Sequence, residues 1–282
     1  MAMGYWHGVL STGLTLPTDR SLNDLTAELT SMLGSPDPAV RDGIALPALS
    51  TWLSQGVYDD RLHTLGDGML DGLRVGLGAT DDDTVFRRSG SGRVLTECLA
   101  RANSQRLLSA DVILRWGDAI ATWLIRERDT RAYVPGKGWA HALAYGADAI
   151  GELARSPLLG TTELTVLLDV LADRVLTDGA PPLVSGELDR IAGACRSIVL
   201  RGLVPLAVVE PWLARIAAHA TPTGVTSEVD PYVATYNAQT FLRNLHLHLE
   251  LGRPAVPHRA DLLLTVVEAL RASNPFSFGL GD

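Results

Sequence analysis

Residues 21–34 read SLNDLTAELTSMLG. Leu22, Leu25, Leu29 and Met32/Leu33 recur at three- and four-residue spacing, which puts them on one stripe of a helix. Ser21 followed by Asp24 matches an N-terminal cap arrangement, and Gly34 supplies the stop. The same grammar repeats outward along the chain. Asp37 precedes Pro38, a cap followed by proline in the first turn, and the run Ala39 to Leu53 forms the next helix, with Pro47 expected to bend or divide it. A third amphipathic run carries Leu62, Leu65, Met69, Leu70 and Leu73. The acidic turn Asp81-Asp82-Asp83 opens a helix from about Thr84, with Gly90 and Gly92 inside it. Each of those glycines costs about 1 kcal/mol relative to alanine, so they mark a kink or make room for a close neighbour.

Ser109 and Asp111 start a long helix through Trp116, Ile120, Trp123 and Leu124, which ends in the charged Arg126–Thr130 cluster. Further helices are expected over Thr162 to Leu176, Glu187 to Arg201, Trp212 to His219, Pro231 to Leu251 and Arg259 to Ala272. The loops between them are marked by Gly179-Ala180-Pro181-Pro182 and by the Thr, Pro and Gly of 221–227. No alternating strand pattern flanked by hairpin turns stands out. Short turns between helices imply antiparallel neighbours, and the segments 49–62 and 198–216 look alike. The expected fold is therefore all-α, an α-solenoid of stacked antiparallel helix pairs of HEAT or armadillo type. Residues 1–18 read as an irregular arm, 19–273 as one helical domain and 274–282 as a loose tail.

Composition narrows the function classes. The chain has 46% hydrophobic and 20% charged residues, ordinary for a globular protein with a sizeable core. A formal net charge of −8 argues against nucleic-acid binding, which needs a basic patch. Cys98 and Cys195 are far apart, which makes neither a disulfide framework nor a CxxC metal site and fits a reduced, cytoplasmic compartment. No apolar run approaches a membrane span, and the N-terminus makes a poor signal peptide. No metal and no cofactor are expected. His246 and His248, spaced by two, face different sides of a helix, and no Walker loop, Rossmann fingerprint or nucleophile elbow occurs.

The candidate site is residues 129–148, DTRAYVPGKGWAHALAYGAD. It contains Lys137, the only lysine among 24 basic residues. On the helix expected after Gly138, His141, Tyr145, Asp148 and Glu152 share one polar face, while Trp139, Leu143, Gly146, Ile150 and Leu153 share the apolar one. An imidazole, a phenol and a carboxylate beside an ammonium can orient a polar ligand or move protons. The candidates are His141 and Asp148 for acid/base chemistry, with Arg87, Arg131, Lys137, Trp139 and Tyr145 for ligand binding. The bland alternative is a solvated helix face with a structurally held histidine.

Residues 37–53 (DPAVRDGIALPALSTWL), 85–95 (VFRRSGSGRVL) and Lys137-Gly138-Trp139-Ala140-His141 together resemble the uncharacterised bacterial helical family catalogued as domain of unknown function 2785. The resemblance covers about residues 20–250. It implies an all-helical, HEAT-like body and no established activity. The favoured expectation is a helical-repeat protein whose concave face binds a small molecule or peptide through 129–148. The rivals are an enzyme using His141 and Asp148, with Lys137 or Arg87 holding an anion, and a scaffold for another protein.

Overall fold

The computed structural model describes residues 2–222 and 230–278. Among them the chain is mostly α-helical, with one small β-ribbon. It divides into two compact units, Met1–Ala149 and Ile150–Asp282, where the sequence reading ran one domain over 19–273.

The first unit begins with a helix, α1 (Ala2–Ser11), in place of the expected irregular arm. Trp6 and Val9 are buried, three residues apart on one helical stripe. The Trp6 indole donates to Glu28 at 2.9 Å, so the buried ring keeps its polar atom satisfied. Helix α2 (Leu22–Met32) starts as its sequence requires, with the Ser21 hydroxyl accepting from the Asp24 amide. Asp37 caps α3 (Pro38–Val40), which runs through a π-helical turn, Arg41–Ala45, into α4 (Leu46–Ser54). The π turn is the division expected of Pro47: proline offers no N–H, its ring would strike the carbonyl one turn back, and widening the coil just before it relieves both. After a 3₁₀ turn at Asp59–Arg61 come α5 (Leu62–Arg74), α6 (Thr84–Gln105) and α7 (Ala110–Arg126).

Helix α5 packs along both α6 and α7, and glycines let the α7 tryptophans come close to α5 and to α6. A Cβ at Gly66 would lie 1.9 Å from the Trp116 ring, and one at Gly92 would lie 2.4 Å from Trp123. Gly92 thus makes room for a tryptophan, one of the two explanations its sequence position allowed. At the far end of α7 a buried ion pair closes the unit. Arg88 donates to Glu127 through Nε at 2.6 Å and Nη2 at 2.9 Å. Both side chains are fully shielded from solvent.

Helix α8 (Ala142–Leu153) crosses the division between the units. The second unit continues with α9 (Thr161–Val175), α10 (Glu187–Leu200), α11 (Leu206–Ala220), α12 (Pro231–Leu251), α13 (Arg259–Ser273) and α14 (Pro275–Phe278). Helix α12 packs on α10, α11 and α13. Glu187, at the first turn of α10, is buried and accepts from the Ser185 amide at 2.8 Å, which fixes the chain's entry into the helix. The tail read as loose carries α14, with 279–282 outside the described residues, as is most of the 221–227 loop. Among the described residues no helix is long and apolar enough to cross a membrane.

Candidate functional site

The stretch after α7 makes the one departure from helix that matters. Tyr133–Val134 (β1) pairs antiparallel with Gly138–Trp139 (β2), in the register Tyr133 to Trp139 and Val134 to Gly138. The turn between them follows from Pro135-Gly136. Proline presets the first corner, and Gly136 takes the left-handed φ of 76° that the second corner demands. The Lys137 amide closes the turn on the Val134 carbonyl at 2.9 Å, and Ala140 N donates to Ala132 O at 2.7 Å. The expectation that Trp139 sits on the apolar face of a helix is therefore wrong. The helix starts three residues later, and Trp139 lies on the ribbon with 47% of its surface exposed.

The ribbon is anchored from below. Arg41, buried in the π turn, donates from Nη2 to the Lys137 carbonyl at 2.8 Å and pairs with Asp42 at 2.7 Å. Its guanidinium lies 4.3 Å from the centre of the Phe86 ring. Gly138 rests on this arginine: a Cβ there would stand 3.3 Å from Arg41 Nη2 and 3.5 Å from Pro38, and its φ is 79°. Pro38 and Arg41 thus seat Lys137 and Gly138, and Phe86 backs Arg41, so each of the three stretches that carry the family resemblance supplies part of this contact chain.

The cations named from sequence are committed to structure. Lys137 reaches both carboxylate oxygens of Asp83, at 2.7 and 2.8 Å, tying the turn to the acidic corner before α6. Arg131 is held by Asp129, which keeps it protonated more firmly than usual, and donates to the Asp82 carbonyl at 2.7 Å. Arg87 does not join them. Its side chain runs against Gly34 and toward Gly72 on α5. Burial there lowers its pKa, with Asp71 opposing through space. Of the two arginines offered as ligand contacts, Arg131 thus lies in the stretch itself and Arg87 is directed toward α5. Both cysteines are buried, and burial drives each thiol pKa far up, so neither is poised as a nucleophile.

What the stretch does assemble is a ladder of rings. Tyr133 and Trp139 meet edge to face at 5.2 Å, His141 stacks on Trp139 at 4.7 Å, and Tyr145 stands edge-on to His141 at 6.0 Å. The Arg93 guanidinium lies 5.9 Å from the Tyr145 ring centre. His141 precedes α8 rather than lying within it. Its φ is 52°, and its carbonyl accepts the helix bond from the Tyr145 amide at 3.1 Å. On α8 itself the expected polar face is present: Tyr145 and Asp148 are half-buried, while Leu143, Ala144 and Ala147 are buried. Five of the six tryptophans are 7% exposed or less; Trp139 is the exception, and its cross-strand partner Tyr133 is 57% exposed.

Sequence reasoning missed Tyr133, Arg41, Asp83 and the Arg88–Glu127 clamp. Tyr133 had a readable signal, since two aromatics flank a Pro-Gly turn in Tyr-Val-Pro-Gly-Lys-Gly-Trp. The buried pairs join residues far apart in sequence and had none. Among the described residues no group of histidine, cysteine and acidic side chains is arranged to hold a metal ion.

The fold and site define a mostly helical protein that presents an anchored aromatic ladder. The family model described as "Protein of unknown function (DUF2785)" matches residues 73–247, more than half of the chain, and the chain belongs to that family. The match includes the ladder and Arg88; residues 37–53 lie outside it. No curated protein and no solved structure gave a match.

Proposed function

We propose that this chain is a binding protein of helical-repeat type, its helices stacking as antiparallel pairs in the α-solenoid, HEAT-like manner. Its binding face, in this reading, is the 129–148 region, which takes a small molecule or peptide. The observation that carries the reading is the exposure of Tyr133 and Trp139 on a ribbon tethered through Arg41 and through the Lys137–Asp83 pair. Large aromatics left in water lose the burial that normally stabilises them, about 25 cal/mol per Å² of apolar surface. A rigid mount means that their order is set before a ligand arrives, so less is lost on binding. Tyr, Trp and Arg are also the residues that dominate binding energy at interfaces.

A second reading, acid/base catalysis by His141 with Asp148 orienting it, is favoured by one observation. His141 adopts a left-handed backbone that non-glycine residues enter at a cost, and such strain gathers at functional positions. The anion-holding part of that reading is weakened, because Lys137 is engaged by Asp83 and Arg87 lies elsewhere.

Native mass spectrometry of freshly purified protein, run beside Tyr133→Ala/Trp139→Ala, tests the binding reading. A retained small molecule or peptide should be present on the wild type and absent from the folded double variant. Retention by both places the binding elsewhere.

A further inference from the structure

We infer that the partner of the aromatic ladder is an extended, proline-bearing peptide segment with a basic flank. The inference rests on the reading of the 129–148 region as a binding face and adds the chemistry of its occupant.

Tyr133 and Trp139 are direct partners across an antiparallel pair, so their side chains leave the ribbon on the same side. Their ring planes stand at 73°, which makes an open corner. His141 covers one face of the indole at a near-parallel 27° and so fixes the ring's plane. Among the described residues nothing accepts a hydrogen bond from Trp139 Nε1 or pairs with the Tyr133 hydroxyl. The exposed corner therefore offers apolar faces together with unused donors.

A matching ligand supplies apolar rings and unused acceptors while carrying few donors of its own. A polyproline II segment has that composition. Its carbonyls have no internal partners, its prolines lack N–H groups, and its conformation is set beforehand, so little entropy is lost on docking. Strand addition, the other common mode for extended peptides, is not served here. Each strand of the ribbon is two residues long, too short an edge to template a third.

The basic flank follows from charge. The chain carries a net −8. Beside the ribbon, Asp81 has 84% of its side chain exposed and only a 3.7 Å approach to Arg131. Arg131 is itself claimed by Asp129. An arginine beyond the prolines would find in Asp81 a carboxylate with capacity to spare.

The test uses the full chain labelled with 5-fluorotryptophan, which gives six indole ¹⁹F resonances, Trp139 being identified by its loss in Trp139→Phe. Two peptides are titrated: hexaproline followed by arginine, and an alternating Ser-Ala peptide of equal length and charge. The expected result is a saturable shift of the Trp139 resonance with the proline peptide, at least about tenfold tighter than with the control. Tyr133→Ala should weaken it by a similar factor, the loss of one dominant contact. Asp81→Asn should weaken the arginine-ended peptide and leave an alanine-ended one unchanged. If both peptides bind equally and both are lost with Trp139→Ala, the proline inference is overturned while the binding face stands. If neither peptide moves Trp139, the proline inference is overturned as well, and the binding face is judged by the mass-spectrometric comparison alone.

Discussion

Removing the Glu127 carboxylate is the sharpest perturbation of the framework under the ribbon. Glu127 receives Arg88 Nε and Nη2, the Trp123 indole at 3.0 Å and the Asp129 amide at 3.0 Å. Glu127→Ala leaves a guanidinium at 0% exposure facing the void, with only Nη1 still bonded, to Val75 O, Gly76 O and the Thr84 hydroxyl. Breaking a buried pair from one side costs about 3–5 kcal/mol, because the remaining charge is neither solvated nor paired. At roughly 2–4 °C per kcal/mol for a chain approaching this length, the melting temperature should fall by about 6–20 °C. Urea unfolding followed by far-ultraviolet circular dichroism measures the change directly. The same loss should loosen residues 129–139, because the Asp129 amide loses its acceptor and Asp129 in turn holds Arg131. A Glu127→Ala protein within about 1 kcal/mol of wild type would refute the reasoning, since a dispensable clamp cannot be what orders the stretch.

The remaining predictions follow from burial and close contact. Trp139→Ala should change stability by no more than about 1 kcal/mol, whereas Trp123→Ala should cost about 3–5 kcal/mol; equal losses in urea titrations would contradict the exposure of the ladder. Gly66→Ala should destabilise by about 1–3 kcal/mol or more, its Cβ meeting Trp116, while Gly68→Ala, with open space around it, should stabilise slightly. Burial raises the Glu97 pKa, with the Ser50 hydroxyl and Arg93 opposing. The folded state therefore holds that proton more tightly than the unfolded state, and stability drops as pH rises from the ordinary glutamate range through the raised value. Glu97→Gln should accordingly gain stability over wild type at neutral pH and lose that advantage below the ordinary glutamate range, as read from paired denaturation curves. Cys98 and Cys195 should resist a thiol-reactive chromogen in native buffer and both react in denaturant.

Most of the helices could be read from the chain because their information is local. Stripes such as Leu22, Leu25, Leu29 and caps such as Ser21 and Asp37 act within a turn of themselves, and those helices start where the pattern put them. Position 139 was misread for a physical reason as well. A three-to-four spacing from Trp139 to Leu143 suits a helix, but the Pro-Gly turn and the left-handed Gly138 override it, and a two-residue ribbon is too short to announce itself by alternation. The polar face of α8 was visible as Tyr145, Asp148 and Glu152. What lay beyond sequence was the pairing: Arg41 with the Lys137 carbonyl and Arg88 with Glu127 span 96 and 39 residues. Arg87 and Arg88 are chemically alike in the string, and only the packing of α6 sends one to a buried glutamate and the other toward Gly72.

The account's central claim is that the exposed rings of Tyr133 and Trp139 are where this protein binds. Its most direct measurement is the affinity of the tightest binder recovered from an unbiased library of peptides and metabolites, compared between wild type and Tyr133→Ala/Trp139→Ala. The account predicts a loss of at least about tenfold in a double variant that melts near the wild-type temperature. Unchanged affinity in that folded variant would contradict it.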